Sequence, residues 1–139
     1  MSVANRDNDT AGITVSPTAG RVTTEAGGTA TFTIVLNTQP TGDVTVALSS
    51  SDTSEGTVSP SSLTFDTTPG PTLWSTPHTV TVTGVNDTLA DGDITYHIQT
   101  TVDPSTADPQ YRAINPDDVT LVNYDNEQAG ITVTPVAGL

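Results

Sequence analysis

The chain has 139 residues, enough for one domain with a single core and too few for two of ordinary size. It carries 16 Asp and Glu against three Arg and no Lys, a net charge of −13, and so lacks the cations that a general nucleic-acid surface needs to displace counterions from phosphate. The absence of Cys removes disulfide and thiolate chemistry, and no apolar run approaches the ~20 residues that a helical membrane span requires, so membrane insertion is not expected.

A weakly hydrophobic, strongly charged composition can signal disorder. Here, however, apolar residues alternate with Thr at a two-residue period, which a half-buried strand demands and a disordered chain does not. Strands are predicted at 13–15 and 22–24, then at 29–36, where Ala30, Phe32, Ile34 and Leu36 alternate with Thr29, Thr31, Thr33 and Val35. Further strands are predicted at 43–49 (Val44, Val46, Leu48), 62–65, 78–85 (Val80, Val82), 93–101 (Ile94, Tyr96, Ile98) and 119–122. Turn residues separate them, among them Gln39-Pro40-Thr41-Gly42 and Asp91-Gly92-Asp93. The pattern predicts an all-β fold, an antiparallel two-sheet sandwich of about seven strands.

The segment from Asp7 to Gly20 returns 118 residues later from Asp125 to Gly138, with ten of fourteen positions identical, including Ala-Gly-Ile-Thr-Val in both. Such a match at both extremes predicts one full period and the opening strand of a second. The expected division is 1–10 as a linker or the end of a preceding repeat, 11–127 as a β-sandwich repeat, and 128–139 as the first strand of a following one. Neighbouring repeats of the same chain are then expected partners. No signal peptide is legible ahead of Ser2, so an export signal is expected on a parent chain.

If strands run alternately up and down, one end of the sandwich collects Glu25, then Asp52 and Glu55, then Asp87, Asp91 and Asp93, and finally Asp125 and Glu127. The other end receives Asp43, Asp66, Asp103, Asp108, Asp117 and Asp118. Asp87, Asp91 and Asp93 crowd into one turn with no Lys to neutralise them, and carboxylates brought close together raise one another's pKa unless a cation is present. Ca²⁺ takes six to eight oxygens at ~2.3–2.6 Å from flexible loops, which suits short acidic side chains from several turns. The candidate metal ligands are Glu25, Asp52, Asp87, Asp91, Asp93, Asp125 and Glu127, with calcium as the expected ion. Solvated turn carboxylates are the plainer reading of the same residues, since Asp is a common turn residue.

Glu25-Ala26-Gly27-Gly28-Thr29-Ala30-Thr31-Phe32, Val80-Thr81-Val82 leading to Asn86-Asp87 and Asp91-Gly92-Asp93, and the stretch 119–126 resemble the Calx-beta family. That family is known from regulatory calcium-binding domains of sodium/calcium exchangers and from repeats of large surface proteins. The resemblance implies an immunoglobulin-like sandwich with calcium at one end, and it implies ligand positions at Glu25, Asp87, Asp91 and Asp125. It also implies an extracellular or cell-surface, adhesin-like setting. Asn86, Ile94 and Asn126 stand where the family is usually acidic, which implies fewer or weaker sites than in its best-equipped members.

Other constellations carry less. His78 and His97 fall in or beside strands and are expected at the surface, no nucleophile-elbow sequence is present, and no enzymatic activity is expected. Trp74 in the Pro-rich segment 67–77 could stack on a sugar or cap the core. The alternative function is thus a non-catalytic accessory module that binds carbohydrate or a cell-surface protein. The segment from Asp103 to Pro109 is expected to be a solvated loop.

Overall fold

Alternating Thr and branched apolar residues build nine strands in this structure, a computed structural model that describes residues 10–131. Most of the 1–10 segment and the end of the 128–139 segment therefore lie outside the described residues. In chain order the elements are β1 (Ile13–Ser16), β2 (Arg21–Thr24), β3 (Thr29–Leu36), β4 (Val44–Ser50), β5 (Gly56–Ser59), β6 (Ser62–Phe65), β7 (His78–Gly84), β8 (Ile94–Val102), a short helix α1 (Pro109–Arg112) and β9 (Val119–Tyr124). A four-stranded sheet in the order β1-β3-β7-β5 faces a five-stranded sheet in the order β2-β9-β8-β4-β6. The all-β sandwich expected from the sequence is the fold observed.

Two details correct the sequence reading. All eight predicted segments form strands, and a ninth of four residues that was not predicted, β5, pairs with β7 through Val58↔Val82. The sandwich is not wholly antiparallel either, since β2 lies parallel to β9 with Val22 beside Val122. Both departures share one origin. The pairings give β1 and β2 the same direction, and likewise β5 and β6, so each pair is one run of chain that leaves one sheet and continues in the other. A run that changes sheets does not change ends, so the sorting of connections into two poles survives.

Inward positions keep the period of two in both sheets. Phe32, Ile34 and Leu36 of β3 and Val80 and Val82 of β7 meet Val44, Val46 and Leu48 of β4, Tyr96 and Ile98 of β8, and Val119 and Leu121 of β9, all buried. The pole away from Glu25 is closed by α1. Asp108, read as part of a solvated loop, is 3% exposed and caps the helix, accepting from the N–H groups of Gln110 and Tyr111 at 2.8 and 3.3 Å. Tyr111 fills the end of the core and donates its hydroxyl to the Thr38 carbonyl at 2.6 Å. Among the described residues no helix is long and apolar enough to cross a membrane.

Near Glu25 the two sheets approach so closely that Gly84 has no room for a side chain: a Cβ there would overlap the Thr24 carbonyl oxygen. Gly84→Ala is expected to lower stability by about 2–3 kcal/mol, because backbone cannot move aside as a flexible side chain does. Urea denaturation of the variant against the native chain measures this, and an unchanged midpoint would contradict the packing described.

Candidate metal site

Four connections meet at one pole. The first follows β2, where Ala26-Gly27-Gly28 turns the chain back. Gly27 takes φ of 90°, its N–H donates to the Thr24 carbonyl at 3.0 Å, and the Gly28 N–H donates to Thr24 Oγ1 at 2.9 Å. Because the Glu25 N–H donates to the Tyr124 carbonyl at 3.1 Å, this turn is stitched to the end of β9 and the Glu25 side chain is tucked beneath it, 2% exposed.

The second connection is the tight turn from Asp52 to Gly56, in which Glu55 and Gly56 donate their N–H groups to the Asp52 carbonyl, both at 3.1 Å. Glu55, immediately ahead of β5, is 3% exposed, and its carbonyl accepts the Val85 N–H at 2.9 Å. The third and fourth are clamped to each other. Gly92, at φ 76°, donates its N–H to Asp125 Oδ2 at 2.8 Å, and the Asp125 N–H donates to Asp93 Oδ1 at 3.0 Å. The exit is fastened further by the Glu127 N–H on Asp125 Oδ1 at 3.0 Å and the Asn126 N–H on Glu25 Oε2 at 3.3 Å.

Two groups of four carboxylates result, each with one oxygen per residue within 4.8 Å of the others: Glu25, Glu55, Asp87 and Asp91, and Glu25, Asp87, Asp125 and Glu127. Glu25 and Asp87 belong to both. Five of the seven sequence candidates are thereby brought together. Asp52 and Asp93 belong to neither group: Asp52 Oδ1 accepts the Ser54 N–H at 3.1 Å within its own turn, and Asp93 holds the exit backbone. Glu55 takes the place expected of Asp52. Thr57-Val58-Ser59 holds a single apolar residue, too short an alternation to signal the strand that sets Glu55 at its mouth, much as Glu25 sits at the end of β2.

The site's electrostatics follow from like charges held together. Glu25 is pushed up to about 8, first by the Glu127 carboxylate held beside it, then by burial, with the charges of Asp87 and Asp125 adding and the Asn126 N–H opposing. Burial likewise pushes Glu55 up, against the Asn123 amide that favours its charged form. Asp125 moves down, chiefly because the Glu127 N–H stabilises its charge against burial, with the Gly92 N–H assisting. Among the described residues two buried oxygens have no hydrogen-bond partner: Glu25 Oε1 and Glu127 Oε1. Buried polar atoms are rarely left so in folded proteins. The donor set is all carboxylate, with no imidazole or thiolate, which fits a hard cation such as Ca²⁺ and suits zinc poorly.

The remaining candidates lie elsewhere. His78 is buried and not at the surface as expected; it stacks on Phe65 with ring centroids 4.0 Å apart. His97 is exposed on β8, with Nδ1 3.1 Å from Thr120 Oγ1. Trp74 packs half-buried against the core, and its N–H and carbonyl groups bond Asp66 and Leu36.

No protein-family model matches the chain, and no curated protein matches it in sequence. Solved structures share its fold. The apo form of the Calx CBD1 domain is 10% identical with a TM-score of 0.58, over 86% of this chain and 100% of that one. The E. coli chaperone DraB is 11% identical with a TM-score of 0.55, over 88% of this chain and 59% of that one. The YadV chaperone is 12% identical with a TM-score of 0.53, over 86% of this chain and 54% of that one. The chain thus spans little more than half of either chaperone, and at these identities the likeness is one of immunoglobulin-like fold.

Because Glu25 and Glu55 hold protons more tightly folded than unfolded, the metal-free folded state binds more protons between the ordinary glutamate value of 4.5 and about 8. Stability is therefore expected to fall as pH rises through that window. Asp125 acts in the opposite sense but only below the ordinary aspartate value of 3.8. Melting in chelator across the window should show the decline, and Glu25→Gln should flatten it; a native curve rising with pH would contradict the assignment.

Proposed function

We propose that this chain is a non-enzymatic, calcium-binding repeat of a longer secreted or cell-surface, adhesin-like protein, and that calcium stiffens the acidic pole and the junction to the next repeat. The observation that carries the reading is the Glu25 carboxylate, 2% exposed, common to both four-carboxylate groups and left with an unpartnered oxygen. A cation bound there would complete that oxygen and relieve the repulsion among acids supplied by four connections.

The repeat supports the junction role. Asp125 and Glu127 lie just ahead of Ile131, which corresponds to Ile13 in the earlier copy of the motif. Ile13 packs against the core as the first residue of β1, whereas Ile131 is 94% exposed, an apolar side chain with no core of its own in this unit. A cation on Asp125 and Glu127 would fix the backbone a few residues before the next sandwich begins. The Calx-beta resemblance of the sequence and the fold shared with the Calx CBD1 domain support the same reading. Partners are then calcium and the neighbouring repeats.

Calcium at about 100 times its Kd is expected to stabilise the protein by about 2.7 kcal/mol per site if only the folded state binds. Asp87→Asn, which strips a shared ligand, should remove most of the effect, while Asp52→Asn should leave it intact. Calorimetric melting with calcium and with chelator decides this; a native melting temperature indifferent to calcium would overturn the reading. Small-angle scattering of two linked repeats should show longer, stiffer particles with calcium, and unchanged dimensions would remove the junction role alone.

A further inference from the structure

Along β9 the inward positions are Val119, Leu121 and Asn123: two core side chains and then, at the acidic pole, a fully buried amide. Asn123 Nδ2 donates to Glu55 Oε2 at 3.0 Å and to the Val85 carbonyl at 3.4 Å. A carbonyl can only accept, so this atom is the nitrogen and the amide has one permitted orientation. Its Oδ1 accepts the Thr23 hydroxyl at 2.9 Å. Having given its single proton there, Thr23 Oγ1 must accept from the Tyr96 hydroxyl 2.7 Å away. Tyr96, Thr23, Asn123 and Glu55 form a one-directional chain of donors leading from the core to a carboxylate, and none of the four is more than 3% exposed.

Bare backbone walls the chain in. A Cβ on Gly56 would strike the Tyr96 ring, and one on Gly84 would come within 2.6 Å of Asn123 Oδ1. The network also joins the two sheets, because Thr23, Tyr96 and Asn123 belong to the five-stranded sheet while Glu55 and Val85 flank strands of the other. None of this is needed for a generic core, where apolar residues at positions 23 and 123 would serve.

We propose that Asn123, held in place by Thr23 and Tyr96, is a positioning residue for the metal site: it fixes one oxygen of Glu55 so that the other faces the group formed with Glu25, Asp87 and Asp91. The inference rests on the metal-binding reading above and adds a determinant of affinity to it. Donors behind a ligating carboxylate orient it and hold it ready, and their loss typically weakens metal binding about 10- to 100-fold. The group containing Asp125 and Glu127, which lacks Glu55, should not depend on Asn123.

The test is a double-mutant cycle read by calcium titration calorimetry, after melting in chelator has shown each variant folded. Asn123→Ala in the native background should weaken one calcium step by about 10- to 100-fold. In a Glu55→Gln background, where the Asp125 group still reports binding, the same substitution should change nothing further. Thr23→Val, which removes the hydroxyl with little change of shape, should weaken the same step to a smaller degree and keeps the test decisive if Asn123→Ala does not fold. An equal loss in both backgrounds would show a merely structural role and overturn the proposal, as would unaltered affinity in either variant. Failure of the native protein to bind calcium at all would instead overturn the underlying function, and this inference with it.

Discussion

Like charge held against like charge is the constraint on which this molecule's acidic end depends. Backbone bonds assemble the carboxylates: the Glu25 amide on the Tyr124 carbonyl, the Gly92 amide on Asp125, and the Asp125 amide on Asp93. Each is a neutral or charge-assisted bond between stretches of chain far apart in sequence, 33 and 32 residues for the two that involve Asp125. Together they bring oxygens of four acids within 4.8 Å twice over, sharing Glu25 and Asp87. The metal-free response is proton uptake, with Glu25 pushed up to about 8 by the neighbouring Glu127 carboxylate and by burial. A divalent cation offers the alternative means of neutralisation.

The sandwich makes that convergence possible through its runs that change sheets. β1 continues into β2 and β5 into β6 without reversing, so each sheet gains edge strands while every loop bearing the site's acids still falls at one pole. The parallel β2–β9 pair matters most, since it sets the Glu25 turn directly beside the exit that carries Asp125 and Glu127. Rigid strand ends then support short turns, a arrangement in which binding groups on loops are positioned by the scaffold below them. The opposite pole is built differently, sealed by Tyr111 and the Asp108 cap, where the buried carboxylate is satisfied by backbone N–H groups. Two buried acids at opposite ends thus have opposite standing, one fully bonded and one with an orphan oxygen.

Much of this architecture was written in the period of the chain. Alternation at 29–36, 43–49, 78–85 and 93–101 depends only on which side of a strand a residue falls, so it marked Phe32, Val46, Val80 and Ile98 as inward, and the core contains them. Gly92 marked a turn because a left-handed backbone, here φ 76°, favours glycine locally. The strand β5 escaped because it is four residues long with one apolar side chain, Val58, too little for a period to register. His78 escaped because burial by stacking on Phe65 depends on a residue distant in sequence.

Within the site, sequence alone determined which residues were acidic, which turns held them and, through strand direction, the end to which they went. Only the tertiary structure decided among acids of the same turn: Asp52 and Asp93 bond backbone, while Glu55 and Asp91 reach the shared centre. For Glu55 the choice turns on Val85 beside it in the same sheet and on Asn123 across from it in the other, which lie 30 and 68 residues away along the chain. A pattern of spacing encodes the direction in which a side chain leaves its own backbone, but not the neighbour it meets there.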